Sequence, residues 1–111
     1  MNQTVDILDK SYSIKNTEQL ELFNINGEIP KGIFELKNLR ILKLRGSGLY
    51  GPIPIEIKKL ENLNHIDFSF NKLSGFIPKE LFDLRKLSSL NLKSNYLNGP
   101  IPEQIGELKN I

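Results

Sequence analysis

The chain has 111 residues, 39% hydrophobic and 25% charged, the size and composition of one ordinary globular domain. It has no cysteine, which excludes a disulfide framework and a thiolate metal site. A net charge of +2 is too small to argue for nucleic acid, and no apolar run approaches the roughly 18 residues of a membrane span.

At the N-terminus, "MNQTVDILDK" lacks the basic start and apolar core of a secretory signal. Val5, Leu8 and Tyr12 lie at i, i+3 and i+7, so residues 1–14 are expected to form a short amphipathic capping helix. "NQT" at 2–4 is the sole glycosylation sequon. The missing cysteines lean towards a cytoplasmic setting, with a secreted or extracellular one as the alternative. Charge is uneven: residues 1–28 carry five acids against two lysines, so the rest of the chain is basic.

From residue 15 the chain repeats. Ile-Pro recurs at 29–30, 53–54, 77–78 and 101–102, a constant step of 24 residues. Between these pairs the apolar positions match. Leu39, Leu42, Leu44 and Leu49 correspond to Leu63, Ile66, Phe68 and Leu73, then to Leu87, Leu90, Leu92 and Leu97. One period upstream, Leu20, Ile25 and Gly27 keep register in a weaker unit, whereas Lys15 and Glu18 stand at apolar positions. The domain thus reads as about four repeats over 15–111, the last one, "IPEQIGELKNI", truncated.

Each L-x-L is a short strand burying one face. The Gly-then-Ile-Pro segment turns the chain, since Gly accepts positive φ and Pro fixes its own. Ile77, Leu81 and Leu84 have helix-like spacing, which predicts short helical or 3₁₀ turns on the return. One unit cannot bury its apolar face alone, so the units must stack, with their strands in a parallel sheet. Beyond Leu90 and Leu92 no further strand follows in the sequence. The chain is then either a truncated piece or has an edge protected by a partner or a second copy, a route to a homo-oligomer.

The string L-x-x-L-x-L-x-x-N-x-L followed by x-G-x-I-P resembles the plant-specific subclass of leucine-rich repeats, over nearly all of residues 15–111. The resemblance implies an α/β solenoid: a right-handed superhelix with a parallel concave β-sheet and short 3₁₀, helical or extended convex segments. It implies a second short strand at x-G-x-I-P. It also implies a ladder of buried Asn side chains bonding backbone groups of neighbouring repeats. Asn71 and Asn95 fit that ladder, but Ser47 and Phe23 occupy the equivalent slots upstream.

The resemblance further implies that ligands bind on the concave strand face. With a uniform 24-residue register its columns are Thr17, Ile41, His65, Ser89; then Gln19, Lys43, Asp67, Asn91; then Glu21, Arg45, Ser69, Lys93; then Leu22, Gly46, Phe70, Ser94. Glu21–Arg45 and Lys43–Asp67 become lateral charge pairs. His65 has Asp67 nearby but no partners to complete a zinc set, so no metal, cofactor or catalytic residue is expected. Phe70 is either an exposed anchor or packs on Leu22 or its own turn. Tyr50 and Tyr96 are expected to share an equivalent slot on one rim, for binding or for covering turns. The functional expectation is a non-enzymatic module binding a protein or peptide through Ile41, Lys43, Arg45, His65, Asp67, Ser69, Phe70, Asn91 and Lys93. The alternatives are a self-associating structural protein and a fragment of a larger receptor or secreted repeat protein.

Overall fold

The computed structural model describes residues 3–101. The partial unit after Ile101 and the first two residues of the chain, Asn2 of the sequon among them, lie outside that range.

The N-terminal segment corrects the expected helix. Strands β1 (Thr4–Ile7) and β2 (Lys10–Ser13) form an antiparallel hairpin with Ile7 paired to Lys10. The β-branched Thr4, Val5 and Ile7 favour a strand, and Val5 and Ile7 alternate onto one face. The two-residue turn is closed by Leu8 at a φ of 57°. Leu8, assigned to the apolar face of the helix, is instead exposed at the tip. Ile7 is buried, and Val5 and Tyr12 pack against the core. The hairpin lies on the first 3₁₀ turn at Gly32. A Cβ there would stand 3.1 Å from the Asp6 carbonyl oxygen and 3.2 Å from Val5 Cγ2.

The remaining chain repeats one path. Strands β3 (Gln19–Glu21), β4 (Ile41–Lys43), β6 (His65–Asp67) and β8 (Ser89–Asn91) form a four-stranded parallel sheet in chain order. Strands β5 (Tyr50–Gly51), β7 (Lys72–Phe76) and β9 (Tyr96–Asn98) form a second parallel sheet. Three 3₁₀ turns, η1 (Lys31–Glu35), η2 (Ile55–Lys59) and η3 (Lys79–Asp83), carry the return. Each starts after an extended proline (Pro30, Pro54, Pro78), whose missing N–H costs nothing at a helix start. Each ends as the N–H of Leu36, Leu60 or Leu84 donates three residues back. The short turns match the expectation from the Ile-Pro segments.

Between the sheets and the turns runs one apolar column. Leu39, Leu42, Leu44, Leu49, Leu63, Ile66, Phe68 and Leu73 are fully buried. Asn71 binds the units to each other from inside. Its Oδ1 accepts from the Ser47 and Leu49 N–H groups at 2.9 and 3.0 Å. Its Nδ2 donates to the carbonyls of Leu44, Phe68 and Ser69. Asn95 repeats the pattern one unit on, with Leu73 N–H and the Phe68 and Leu92 carbonyls. Ser47 continues it with one cross-repeat bond, to the Leu22 carbonyl at 2.8 Å, beside a longer one to the Arg45 carbonyl in its own unit. A second cross-repeat set lies at the entry to the strands. There Asn38 donates to the Lys15 carbonyl and Asn62 to the Lys37 carbonyl.

Within the four-stranded sheet the pairing departs from a step of 24 at one place. Ile41 pairs with His65 and His65 with Ser89, but Gln19, not Thr17, pairs with Ile41, a step of 22. Leu20 and Leu22 therefore fill the L-x-L positions of the first strand and are buried beside Leu42 and Leu44. The alignment counted back from Ile29 is overturned for the first unit, which reaches its Ile-Pro two residues sooner. Phe23 is consequently not in the ladder slot but 64% exposed.

Candidate functional site

The exposed side chains of the four-stranded sheet stand in columns set by strand pairing. The first column is Gln19, Ile41, His65 and Ser89, and the second is Glu21, Lys43, Asp67 and Asn91. Continuing the same register past the strand ends places Phe23, Arg45, Ser69 and Lys93 in line, then Asn24, Gly46, Phe70 and Ser94. Backbone bonds carry it there: Leu22 N–H to the Lys43 carbonyl, Gly46 N–H to that of Ser69, and Phe70 N–H to that of Lys93.

Within this face Lys43, Arg45, Phe70 and Lys93 are exposed, whereas Ile41, His65, Asp67 and Asn91 are half-buried. Ser69 is different. It is fully buried, and its hydroxyl and N–H both donate to Asp67 Oδ1, at 2.6 and 3.0 Å. It holds Asp67 in place rather than facing solvent, which corrects its assignment as a contact residue. Asn91 makes the same local bond, accepting from the Lys93 N–H at 3.0 Å. Burial would raise the Asp67 carboxyl, but the two Ser69 bonds and the Arg45 and His65 charges outweigh it. The net shift is below the ordinary value of 3.8.

Neither expected charge pair forms. Glu21 lies beside Lys43, not Arg45, because of the 22-residue step. Lys43 and Asp67 are neighbours in register without an ion pair, and among the described residues the one ion pair is Arg40–Glu18 at 3.6 Å. Arg45 instead lies over the Phe70 ring, 4.8 Å from its centroid. Phe70 is 47% exposed and is not among the side chains packed against the core that contains Leu22.

Phe70 has a φ of 59°. The same slot is left-handed in every unit: Asn24 at 55°, Gly46 at 59° and Ser94 at 59°. Gly and Asn tolerate that region, whereas for a bulky side chain it costs about 1–2 kcal/mol. This repeat accepts a strained aromatic where its neighbours carry small residues.

Two further aromatics are placed differently from the expectation. Tyr50 follows its buried Leu49, and Tyr96 precedes Leu97. Tyr50 pairs with Lys72 and Tyr96 with Ser74, so they do not share a repeat position. The residue that the sequence expectation missed is Phe23. Aligning the units on Leu20-x-Leu22 rather than on Ile-Pro would have revealed it, because that alignment sets Phe23 beside Arg45.

Residues 54–97 match the family model described as Leucine rich repeat. No curated protein matches the chain. Among solved structures, a plant ice-binding protein is 40% identical with a TM-score of 0.76, over 83% of this chain and 31% of its own. The plant peptide hormone receptor RGFR1, in complex with RGF2, is 41% identical with a TM-score of 0.78, over 85% and 15%. The BIR2 ectodomain from Arabidopsis thaliana is 36% identical with a TM-score of 0.76, over 83% and 50%. The chain spans at most half the length of these three relatives. Its stacked units are leucine-rich repeats, in the fold it shares with these plant proteins.

Proposed function

We propose that the chain is a non-enzymatic interaction module of 24-residue plant-type repeats that binds a protein or peptide on its exposed strand face. In this reading the units coil as a right-handed superhelix with the four-stranded sheet on the concave side, and the N-terminal hairpin caps the stack. One observation carries it. The positions that the stack needs recur from unit to unit, while Ile41, His65 and Ser89, or Lys43, Asp67 and Asn91, share a column and nothing else. Residues free of the scaffold and gathered on one face are where binding specificity resides on a repeat protein. Similarity to RGFR1, solved with RGF2, agrees with a peptide or protein ligand.

The test is capture of a partner from native cells by the tagged chain. A variant combining Lys43→Ala, Arg45→Ala and His65→Ala loses the partner at an unchanged melting temperature. A variant on the opposite side, Lys58→Ala with Lys59→Ala in η2, keeps it. Equal capture by both variants overturns the strand face as the binding surface.

A further inference from the structure

The 22-residue step adds Phe23 to a group that the 24-residue register already holds near one another, Arg45, Phe70 and Lys93. Phe23, Arg45, Phe70 and Lys93 stand on one rim, at the C-terminal ends of the sheet strands, and all four are exposed. Phe23 follows β3 and Phe70 follows β6, the strands on either side of β4, so their segments flank that of Arg45 at roughly 5 Å strand spacing. We propose that this rim is a docking site for an acidic peptide segment. One Asp or Glu side chain would bind the Arg45 guanidinium, and an adjacent apolar side chain would lie against Phe23 or Phe70.

Three observations converge on that ligand. First, stacking on Phe70 occupies one face of the guanidinium and leaves its N–H edge unspent. Among the described residues Arg45 donates no side-chain hydrogen bond and joins no ion pair. A planar fork held by stacking is preorganised for bidentate binding of a carboxylate, which a lysine ammonium is not. Second, the rim is electropositive. Arg45 and Lys93 stand on it as two cations, and the Asp67 carboxylate, which feels the Arg45 charge, forms no ion pair with either and has its Oδ1 bound to Ser69. Third, the aromatic that orients Arg45 is retained in a backbone conformation that costs stability. An observed outlier of this kind at an exposed site points to a role beyond the scaffold.

This inference rests on the strand-face reading, and its test is chosen to fail separately from it. A library of random dodecapeptides, amidated at the C-terminus, is selected on the folded chain. It is selected in parallel on Arg45→Gln, Arg45→Lys and Phe70→Asn, each checked for a melting temperature no lower than that of the parent chain. The expected outcome is enrichment of peptides with an Asp or Glu beside an apolar residue. Their affinity should fall about tenfold in Arg45→Gln, as for loss of a charged hydrogen-bonded pair. Arg45→Lys should restore only part of it, and raised salt should weaken binding. Selection of neutral or basic peptides, no selection at all, or equal binding by Arg45→Gln overturns the acidic-segment proposal. Tighter binding of single-stranded DNA than of the selected peptides overturns it as well. In each of those cases native-partner capture that still depends on Lys43 and His65 leaves the strand-face reading standing.

Discussion

Asn71 shows how much one side chain can hold in a repeat stack. It is buried and satisfies two backbone N–H groups of the preceding unit and three carbonyls. Removing it strands these groups where water does not reach, and each unpaired buried group costs about 1–3 kcal/mol. Asn71→Ala is therefore expected to lower unfolding free energy by about 3 kcal/mol, after partial relief by local rearrangement. Asn95→Ala should cost clearly less, because Asn95 is half-exposed and water replaces part of its bonding. Urea unfolding of the two variants measures the difference, and equal losses would contradict the account. Phe70 is the opposite kind of residue. Its backbone is unfavourable and its ring is half in solvent, so its contribution is not to the stack.

At the level of the element, the turns before Ile-Pro show why glycine recurs. Gly51, Gly75 and Gly99 all have a φ of 81°, which an L side chain adopts only under strain. Gly75 has nothing within 4 Å of an added Cβ, whereas at Gly99 the Cβ would collide with the Phe76 ring of the preceding unit. Gly75→Ala thus meets backbone strain alone, about 1–2 kcal/mol. Gly99→Ala meets the same strain plus displacement of the ring and should unfold at a lower denaturant concentration. In a Phe76→Ala background the extra loss should disappear, leaving Gly99→Ala equal to Gly75→Ala, and a double-mutant cycle reads that coupling directly. The N-terminal element makes a separate point. An i, i+3, i+7 spacing is compatible with a helix, but three β-branched residues and the contact with Gly32 favour the hairpin.

Over the whole molecule, stability is a sum over stacked units. A central unit is covered on both sides. Ile66 and Phe68 are fully buried, while the corresponding residues at the last strand of the four-stranded sheet, Leu90 and Leu92, are half-buried. Ile66→Ala should cost about 2–5 kcal/mol as a core cavity, and Leu90→Ala a smaller amount. Thermal melts of the two variants test the gradient, and a larger loss from Leu90→Ala would refute it.

The repeat period, the L-x-L strands and the proline-led return turns were legible in the residues, and the Asn71–Asn95 ladder followed from the family resemblance. They are legible because stacking imposes the same local requirement on every unit, and a requirement met three times over leaves a periodic trace. The site was legible only in part. Lys43, Arg45, His65 and Phe70 lie on the expected face, but Ser69 is buried, Phe23 was missed, and both expected charge pairs are absent. The cause is common to these corrections. Periodicity states which residues are alike, not which are adjacent where a unit is shortened. The first strand slides by two residues because burying Leu20 and Leu22 beside Leu42 and Leu44 outweighs keeping the Ile-Pro spacing. That slide, a result of core packing between units, places Phe23 beside Arg45 and frees Arg45 from Glu21 to lie over Phe70.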